Sequence, residues 1–430
     1  MQEQILVEWN PWWTGDLKSD YLEREVLEKI ILWIDKKQVI PITGCRRSGK
    51  TTIMYILIKY LLTKVPGENI LFIKCDDERI QEENLIESAR TKHLEMFNPT
   101  GKVYIFLDEV QEQKDWDRTV KRIYDLDKDV KIFLSGSRLL KSELSTSLAG
   151  RFVYFEVYPL SFREFIKAKN VTIDGKLEII SKRHMIKNHL REYIQWGGFP
   201  EIVLEKNESF KKELLKFYSD SILYRDVIKR SNVTKTDKVE NLKNYLFPNI
   251  SNLLNYSKIA KHLGISSDTV SSYLHAMEEA YFFFSLSIFS HSLKKQQVNP
   301  KKIYCTDTGI RNAVGFKFSR DLGRLYENIV FMELKRYNDE MYYWKDSSGE
   351  VDFLIMKGDE IVEAIQVCCD VSAADERETR SLLSALDKFD LDKGTIISGD
   401  TRDMKDIEGK TIDYIPLWEW LLSYSASQWK

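Results

Sequence analysis

The stretch GCRRSGKTT occupies residues 44–52 and directly follows the apolar run VIPIT at 39–43. Its spacing, G-x-x-x-x-G-K-[ST], is typical of a phosphate-binding loop that joins a buried strand to a helix. In such a loop the glycines let backbone N–H groups surround the phosphates, and the positive end of the helix faces the anion. Since the apolar segment 51–62 supplies that helix, a chance match is disfavoured and the stretch predicts nucleotide binding.

Each position of this loop has a predicted role. Lys50 is expected to reach the β- and γ-phosphate oxygens, and Thr51 to ligate magnesium. We therefore predict ATP and Mg²⁺ as the bound cofactors. The predicted nucleotide-binding residues are Gly44, Cys45, Arg46, Arg47, Ser48, Gly49, Lys50, Thr51 and Thr52.

A second apolar run, VYIFL at 103–107, ends in the paired acids Asp108 and Glu109. An acid at the end of a buried strand can hold the Mg²⁺ shell, and we assign that role to Asp108 together with Thr51. Glu109 is predicted to act as the general base that polarises the attacking water. Acids at strand ends can also merely cap the next helix, but the pair after a phosphate-binding loop favours ATP hydrolysis over phosphoryl transfer to a substrate.

Four further residues are predicted to assist catalysis. Ser135 and Ser137 follow the apolar run 130–134, and either hydroxyl could contact the γ-phosphate or the water. Arg138 and Arg151 could supply positive charge to the transition state, from the same chain or from a neighbouring subunit. For each arginine a surface position is an equal alternative.

The pattern around these motifs predicts an α/β fold. An amphipathic helix is expected over 21–36, before the first strand. Strands that alternate with helices form a parallel sheet covered on both faces, with ligands at the carboxyl ends of the strands. The predicted strands are 39–43, 69–77, 103–109 and 130–137, and the predicted helices between them are 51–62, 83–97 and 115–126.

Length and composition limit the class of protein. A chain of 430 residues suggests two or three domains. With 64 Lys+Arg, 66 Asp+Glu and a net charge of -2, the overall charge does not indicate nucleic-acid binding. No apolar stretch approaches the ~20 residues that a membrane span needs. The scattered cysteines form no CxxC pair and predict reduced thiols in a cytoplasmic protein; they are Cys45, Cys75, Cys305, Cys368 and Cys369.

The segment SKIAKHLGISSDTVSSYL at 257–274 fits a helix-turn-helix. Ser257 is expected to cap the first helix, Gly264 to make the turn and Ser267 to begin the second helix. The exposed residues of the second helix are small and polar, which suits phosphate contacts better than base reading. DNA is therefore the predicted partner, and docking of a protein is the alternative.

Several motifs resemble, in order, those of one group of AAA+-like ATPases that is abundant in archaea and also found in bacteria. They are NPWW at 10–13, Arg24, GCRRSGKTT, FLDEVQ, LSGSRLL, GRF and YPLSFREF. The resemblance implies an ATPase domain at 1–170, a helical region with a winged-helix segment at 171–300, and at 301–430 a domain similar to PD-(D/E)xK restriction endonucleases.

The same resemblance implies a nuclease-like site that is altered in this chain. Glu327 and Asp352 fall at positions where such nucleases carry acids, but Gln366 and Cys368 stand where (D/E)-x-K is expected. An amide and a thiol bind hard Mg²⁺ poorly. Glu363 cannot substitute, because strand alternation places it on the other face. We therefore expect no ordinary metal-dependent cleavage.

These observations together predict Mg²⁺-dependent ATP hydrolysis coupled to DNA binding or remodelling, with branched DNA as one candidate. A signalling or regulatory NTPase whose C-terminal half binds proteins is the alternative, and an ATP-dependent nuclease is a third. The sequence leaves open whether the chain forms a homo-oligomer.

Overall fold

The computed structural model describes residues 2–424 except 16, 18–20, 81, 138, 140–143, 145, 147, 174, 230–234, 316–321 and 348. The chain forms two compact units, Met1–Tyr158 and Pro159–Lys430. Among the described residues, no helix is both long enough and apolar enough to cross a membrane.

The first unit contains a five-stranded sheet in which all strand pairs are parallel. Its strands are β1 (Ile40–Gly44), β2 (Ile70–Lys74), β3 (Val103–Asp108), β4 (Val130–Gly136) and β5 (Phe155–Val157), in the order β2-β3-β4-β1-β5. Its helices are α1 (Glu3–Trp9), α2 (Val26–Ile31), α3 (Lys50–Leu62), α4 (Leu85–Phe97) and α5 (Trp116–Leu126). The predicted parallel α/β sheet is confirmed.

Strands β1 and β4 are buried along their whole length, as expected for central strands covered on both faces. Because β4 lies between β1 and β3, its carboxyl end separates the phosphate-binding loop from Asp108. That order brings Ser135 between the two predicted halves of the nucleotide site.

The predicted helix over 21–36 is wrong in length, since α2 covers only Val26–Ile31. The turn that follows α2 has backbone hydrogen bonds of the i→i−3 type, such as Trp33 N–H to the Ile30 carbonyl at 2.9 Å, and a tertiary contact stabilises it further. The buried amine of Lys131, on β4, donates to three carbonyl oxygens of this turn at 2.6–2.8 Å. These acceptors belong to Trp33, Lys36 and Gln38.

The second unit begins with helices, as predicted for the middle of the chain. They are α6 (Phe162–Ala168), α7 (Lys176–Ser181), α8 (Arg183–Trp196), α9 (Pro200–Leu204), α10 (Glu208–Ser221), which continues into a π-helical turn at Ile222–Ile228, and α11 (Thr236–Leu246). The turn GGFP at 197–200 joins α8 to α9. A Cβ on Gly198 would lie 2.4 Å from the carbonyl oxygen of Leu160, so only glycine fits this close approach.

The predicted helix-turn-helix consists of α12 (Tyr256–Leu263) and α13 (Ser267–Glu279), joined through Gly264 in a left-handed conformation. The first helix begins two residues earlier than expected, because its cap is Asn255 and not Ser257. The Asn255 side chain accepts the Lys258 N–H at 3.0 Å, so an amide oxygen takes the capping role.

A small antiparallel sheet accompanies these two helices. Its strands are β6 (Leu253–Leu254), β7 (Phe283–Leu286) and β8 (Lys301–Cys305), with β8 in the centre. The connection from β7 to β8 carries the short helix α14 (Leu293–Val298). Helix α15 (Thr308–Val314) then leads to α16 (Leu322–Lys335). The winged-helix assignment stays a prediction.

The C-terminal part forms a six-stranded mixed sheet in the order β13-β14-β12-β11-β10-β9. Its strands are β9 (Met341–Lys345), β10 (Glu350–Lys357), β11 (Glu360–Cys368), β12 (Lys393–Ser398), β13 (Asp403–Ile407) and β14 (Lys410–Pro416). Helix α17 (Val371–Lys388) connects the parallel strands β11 and β12, and α18 (Leu417–Ser423) follows β14. The α/β class is thus confirmed for both ends of the chain.

Candidate functional site

The candidate site lies at the carboxyl edge of the parallel sheet in the first unit. The loop 44–50 leaves the end of β1, and Asp108 and Glu109 stand at the end of β3. Ser135 is near the end of β4, between them. Parallel strands bring these three ends to one edge of the sheet.

Two glycines shape the phosphate-binding loop. Gly44 has a φ of +134°, and a Cβ on it would lie 2.1 Å from the Val157 carbonyl oxygen. Gly49 has a φ of +97° and precedes α3 directly. Helix α3 begins at Lys50, whose buried amine donates to the carbonyl oxygens of Gly44 and Cys45, each at 3.1 Å. The loop thus curls around the lysine at the positive end of the helix.

Arg24 stabilises this loop, a role that the sequence did not reveal. Its guanidinium is buried and donates to the carbonyl oxygen of Ser48 and to that of Tyr158, both at 2.7 Å. The Ser48 hydroxyl donates to the Cys45 carbonyl at 2.8 Å. Arg24 therefore ties the loop to the segment that follows β5. In the sequence, the only signal for this role of Arg24 was that it is one of the motifs that carry the family resemblance.

Thr51, Asp108 and Ser135 form one hydrogen-bonded group. The Thr51 hydroxyl lies 3.0 and 2.9 Å from the two carboxylate oxygens of Asp108. The buried Ser135 hydroxyl donates to the same carboxylate. Burial raises the pKa of Asp108 to about 6, although the hydrogen bond from Ser135 opposes the shift. Three oxygen-bearing side chains from three elements thus meet at one point.

Glu109 is held next to this group in a left-handed conformation, with a φ of +49°. Its backbone N–H donates to the Ser135 hydroxyl at 3.1 Å. Its carboxylate accepts the side-chain amide of Gln111 at 2.5 Å and the Ser137 N–H at 3.5 Å. Burial acts to raise the pKa of Glu109, but the charge of Lys50 and the Gln111 hydrogen bond outweigh it and lower the pKa. An ionised, fixed carboxylate suits a general base.

Gln111 is a second site residue that motif reasoning did not single out. It lies in the short 3₁₀ helix Val110–Glu112 directly after β3 and orients Glu109. Its position within FLDEVQ was the available signal.

The donor set fits a magnesium ion and a triphosphate. Carboxylate and hydroxyl oxygens are ligands that Mg²⁺ prefers, and Asp108 with Thr51 would hold the ion. The positive charge of Lys50 and the helix terminus would face phosphate oxygens. Of the other loop residues, Arg46 is close enough for its charge to help lower the pKa of Glu109. Arg47 is exposed, Thr52 is half-buried and Cys45 is buried.

The two predicted arginines do not join this group. Arg138 lies outside the described residues. Arg151 pairs with Asp125 at 2.9 Å, and its carbonyl accepts the N–H of Val39. Since Val39 precedes β1, Arg151 lies at the amino edge of the sheet, opposite the phosphate-binding loop. The expectation that Arg151 assists catalysis within its own chain is therefore not met.

Three of the four residues that the resemblance assigned to an altered nuclease site, Glu327, Asp352 and Gln366, lie close together in the second unit. The Asp352 N–H donates to the Gln366 side-chain oxygen at 3.1 Å, and Glu327 and Asp352 both contact Lys302. The Cys368 thiol instead donates to the Asp370 carbonyl at 3.3 Å, and burial raises the pKa of this thiol to about 11. Within the described part of the chain, no group of three or more His, Cys, Asp and Glu side chains is arranged to hold a metal ion.

Comparison with family models divides the chain into three matched regions. Residues 36–166 match a model described as an AAA domain. Residues 187–321 and 322–420 match two models described as domains of unknown function, DUF8612 and DUF4143.

Two curated relatives extend over nearly the whole chain. It is 33% identical over 423 residues to the uncharacterized protein MJ1544 of Methanocaldococcus jannaschii, covering 95% of this chain and 92% of that protein. It is 31% identical over 405 residues to an uncharacterized protein of Haemophilus influenzae, covering 92% of this chain and 97% of that protein.

Among solved structures, a Pyrococcus horikoshii STAND (signal transduction ATPase with numerous domains) protein gives a TM-score of 0.28 at 12% identity. The match covers 76% of this chain and 47% of that chain. Residues 36–166 therefore form an AAA domain, and the chain belongs to the same family as the Methanocaldococcus jannaschii protein.

Proposed function

We propose that this chain hydrolyses ATP with Mg²⁺ and that the accompanying conformational change acts on DNA, by binding or remodelling it. The ATPase part rests on one observation: Lys50, Thr51, Asp108 and Glu109 converge at the carboxyl edge of one parallel sheet. The Thr51 hydroxyl contacts Asp108, and the Ser135 hydroxyl contacts both Asp108 and the Glu109 N–H. Lys50 directly precedes Thr51 in the loop.

Each residue has a distinct task in the proposed reaction. A bound Mg²⁺ would neutralise phosphate charge and help orient the γ-phosphate. Lys50 would bind the phosphate oxygens, while Thr51 and Asp108 would provide ligands for the ion. Glu109 orients the attacking water and accepts its proton. Gln111 fixes the Glu109 carboxylate, so that little reorganisation is needed during the reaction.

Support for DNA comes from the charge of the helix-turn-helix region. The second helix, α13, contains no lysine or arginine. Positive charge lies instead on the first helix, at Lys258 and Lys261, and on the exposed helix α14, at Lys294 and Lys295. This distribution favours contacts with the phosphate backbone over reading of base sequence.

An ATPase assay against single-stranded, duplex, forked and four-way DNA tests the proposal. We expect one of these structures to stimulate turnover, with binding that weakens as salt rises. The double variant Lys294→Ala/Lys295→Ala should reduce the stimulation and lower the salt slope by about two. Lys216→Ala on α10 is the matched control. If ATP hydrolysis is stimulated by none of these DNA structures, the proposed action on DNA is refuted, while the proposed ATPase activity is not.

A different observation favours the alternative, a regulatory ATPase that binds a protein. Phe210 and Phe217 are 60% and 57% exposed on α10, and their spacing places them on one face of the helix. Exposed phenylalanines that share a face are typical of protein contact surfaces. Retention of a specific protein partner by the wild type, and its loss in Phe210→Ser/Phe217→Ser, would support this alternative.

A further inference from the structure

Lys302 is a buried lysine whose surroundings the ATPase chemistry does not use. It lies on β8, the central strand of the small antiparallel sheet, and pairs in register with Leu253 and Leu286. Its side chain is only 3% exposed. A lysine is almost never buried to this extent unless its ammonium group is paired.

Three carboxylates converge on the Lys302 amine from two other elements of the same unit. The Nζ atom lies 2.7 Å from Asp352 Oδ1 and 2.7 Å from Glu350 Oε1, both on β10. It lies 3.0 Å from Glu327 Oε1, on α16. An ammonium group has three N–H donors, which equals the number of carboxylates. The Tyr304 hydroxyl, on the same strand, donates to Glu327 at 2.8 Å.

The charge of Lys302 is maintained by these neighbours. Burial acts to lower the pKa of Lys302, but the charges of Asp352, Glu327 and Glu350 outweigh burial and hold the pKa well above its usual value. The Lys302 amine also lies at the centre of the acidic group, within 3.0 Å of all three side chains.

By the resemblance to PD-(D/E)xK nucleases, two of the acids in this cluster, Glu327 and Asp352, correspond to positions that carry metal ligands. The remaining groups there are already engaged. Asp352 Oδ2 accepts the Val367 N–H at 2.9 Å, and the Gln366 amide donates to Glu378 at 2.5 Å. An ammonium within 3.0 Å of all three carboxylates occupies the space between them and places one positive charge there. A divalent ion at the same point would overlap the amine and be repelled by its charge. The residues therefore do not fit a metal.

We propose that the ammonium group of Lys302 takes the place of a divalent metal in the C-terminal domain and converts a nuclease-like centre into a fixed ionic joint. The joint fastens β8, and with it the helix-turn-helix region, to β10 and α16. The C-terminal domain then serves as a rigid support and not as a nuclease. This proposal does not depend on the site of ATP hydrolysis.

The test measures Mn²⁺ binding to the full chain by electron paramagnetic resonance without nucleotide. We expect the wild type and Lys301→Ala to bind no Mn²⁺ that depends on Asp352. Lys301 neighbours Lys302 and faces the other side of the strand, so it is the matched control. Lys302→Ala should gain one Mn²⁺ per chain, and the added Asp352→Asn should abolish that gain. Mn²⁺ should also raise the thermal midpoint of Lys302→Ala but not that of the double variant.

Two results would overturn the proposal. One is Mn²⁺ binding by the wild type that Asp352→Asn removes, which would mean that metal and lysine coexist. This measurement remains decisive if Lys302→Ala does not fold. The other is a folded Lys302→Ala that gains no Mn²⁺, which would mean that the lysine does not hold a latent metal site.

Discussion

At the scale of single residues, the general base can be separated from the groups that bind nucleotide. Replacing Glu109 by glutamine keeps its size but removes its ability to accept a proton. We expect Glu109→Gln to bind ATP normally and to hydrolyse it at least ~100-fold more slowly. Single-turnover hydrolysis and nucleotide binding measure the two effects separately. Glu112→Gln, an exposed neighbour, is the control, and undiminished hydrolysis in Glu109→Gln would exclude the assigned role.

Gln111 allows a second test of the general base, because its side chain contacts Glu109 and is not predicted to bind the nucleotide. Gln111→Ala should lower kcat about tenfold with little change in KM, since the carboxylate loses the hydrogen bond that orients it. Gln113→Ala is the matched control, because that side chain donates to the Cys75 carbonyl instead. A changed KM with an unchanged kcat would show that Gln111 acts on binding.

The sequence predicted residues whose roles follow from local spacing, such as Lys50 and Thr51, and the structure places them together. It did not indicate partners that are distant along the chain. Lys302 contacts Glu327 and Asp352 only after β8, α16 and β10 have packed. The spacing of residues along the sequence does not predict such a long-range contact. For Arg151 the surface position that the sequence left open is the one observed, because a motif position does not show at which edge of a sheet a side chain lies.

At the scale of elements, the GGFP turn is fixed by close backbone approach. Gly198→Ala should destabilise the second unit by about 3 kcal/mol, because the new methyl group would overlap the Leu160 carbonyl. Gly323→Ala is the control, since a Cβ there would meet nothing within 4 Å. Denaturant unfolding measures both variants. A Gly198→Ala protein as stable as the control would contradict this account of the turn.

Strand β11 carries an acid whose burial should make stability depend on pH. Burial raises the pKa of Glu363 to about 7, although a hydrogen bond from Tyr424 opposes the shift. A carboxyl with a raised pKa stabilises the fold most below its unfolded value, near 4.3, and this contribution is lost as pH rises through 7. Between pH 4 and pH 8, the free energy of unfolding of Glu363→Gln should therefore rise by roughly 1–3 kcal/mol relative to that of the wild type. Urea unfolding across that range measures the difference, and a constant difference would contradict the prediction.

Elements with strong periodicity were predicted well, including α4 and α5 within two residues of their observed bounds. Helix α2 was not, because its apolar pattern continues into a turn that Lys131 holds through backbone carbonyls. Such a tertiary hydrogen bond overrides helical spacing and leaves no mark in the local sequence. The same applies to Asn255, which caps α12 in place of the expected serine.

At the scale of the whole molecule, the two compact units should unfold separately. Each has its own sheet and buried side chains. We expect two transitions in scanning calorimetry, with a non-hydrolysable ATP analogue and Mg²⁺ raising the transition of the first unit. At a ligand concentration of 100 Kd the stabilisation is about 2.7 kcal/mol.

Lys50→Ala is the control for this experiment, because it should abolish the shift and leave both transitions in place. It also identifies which transition belongs to the first unit. A single cooperative transition that moves as a whole would show that the units do not unfold independently.

The position of Lys302 in β8 limits how the chain can change in length. Inserting one residue within a strand turns every later side chain to the opposite face, which would point Lys301 or Ile303 at the acids. The connection between β7 and β8 lies upstream of this constraint, so a change in its length leaves the alternation of side chains along β8 unchanged. Strand β8 itself should therefore tolerate neither insertions nor deletions.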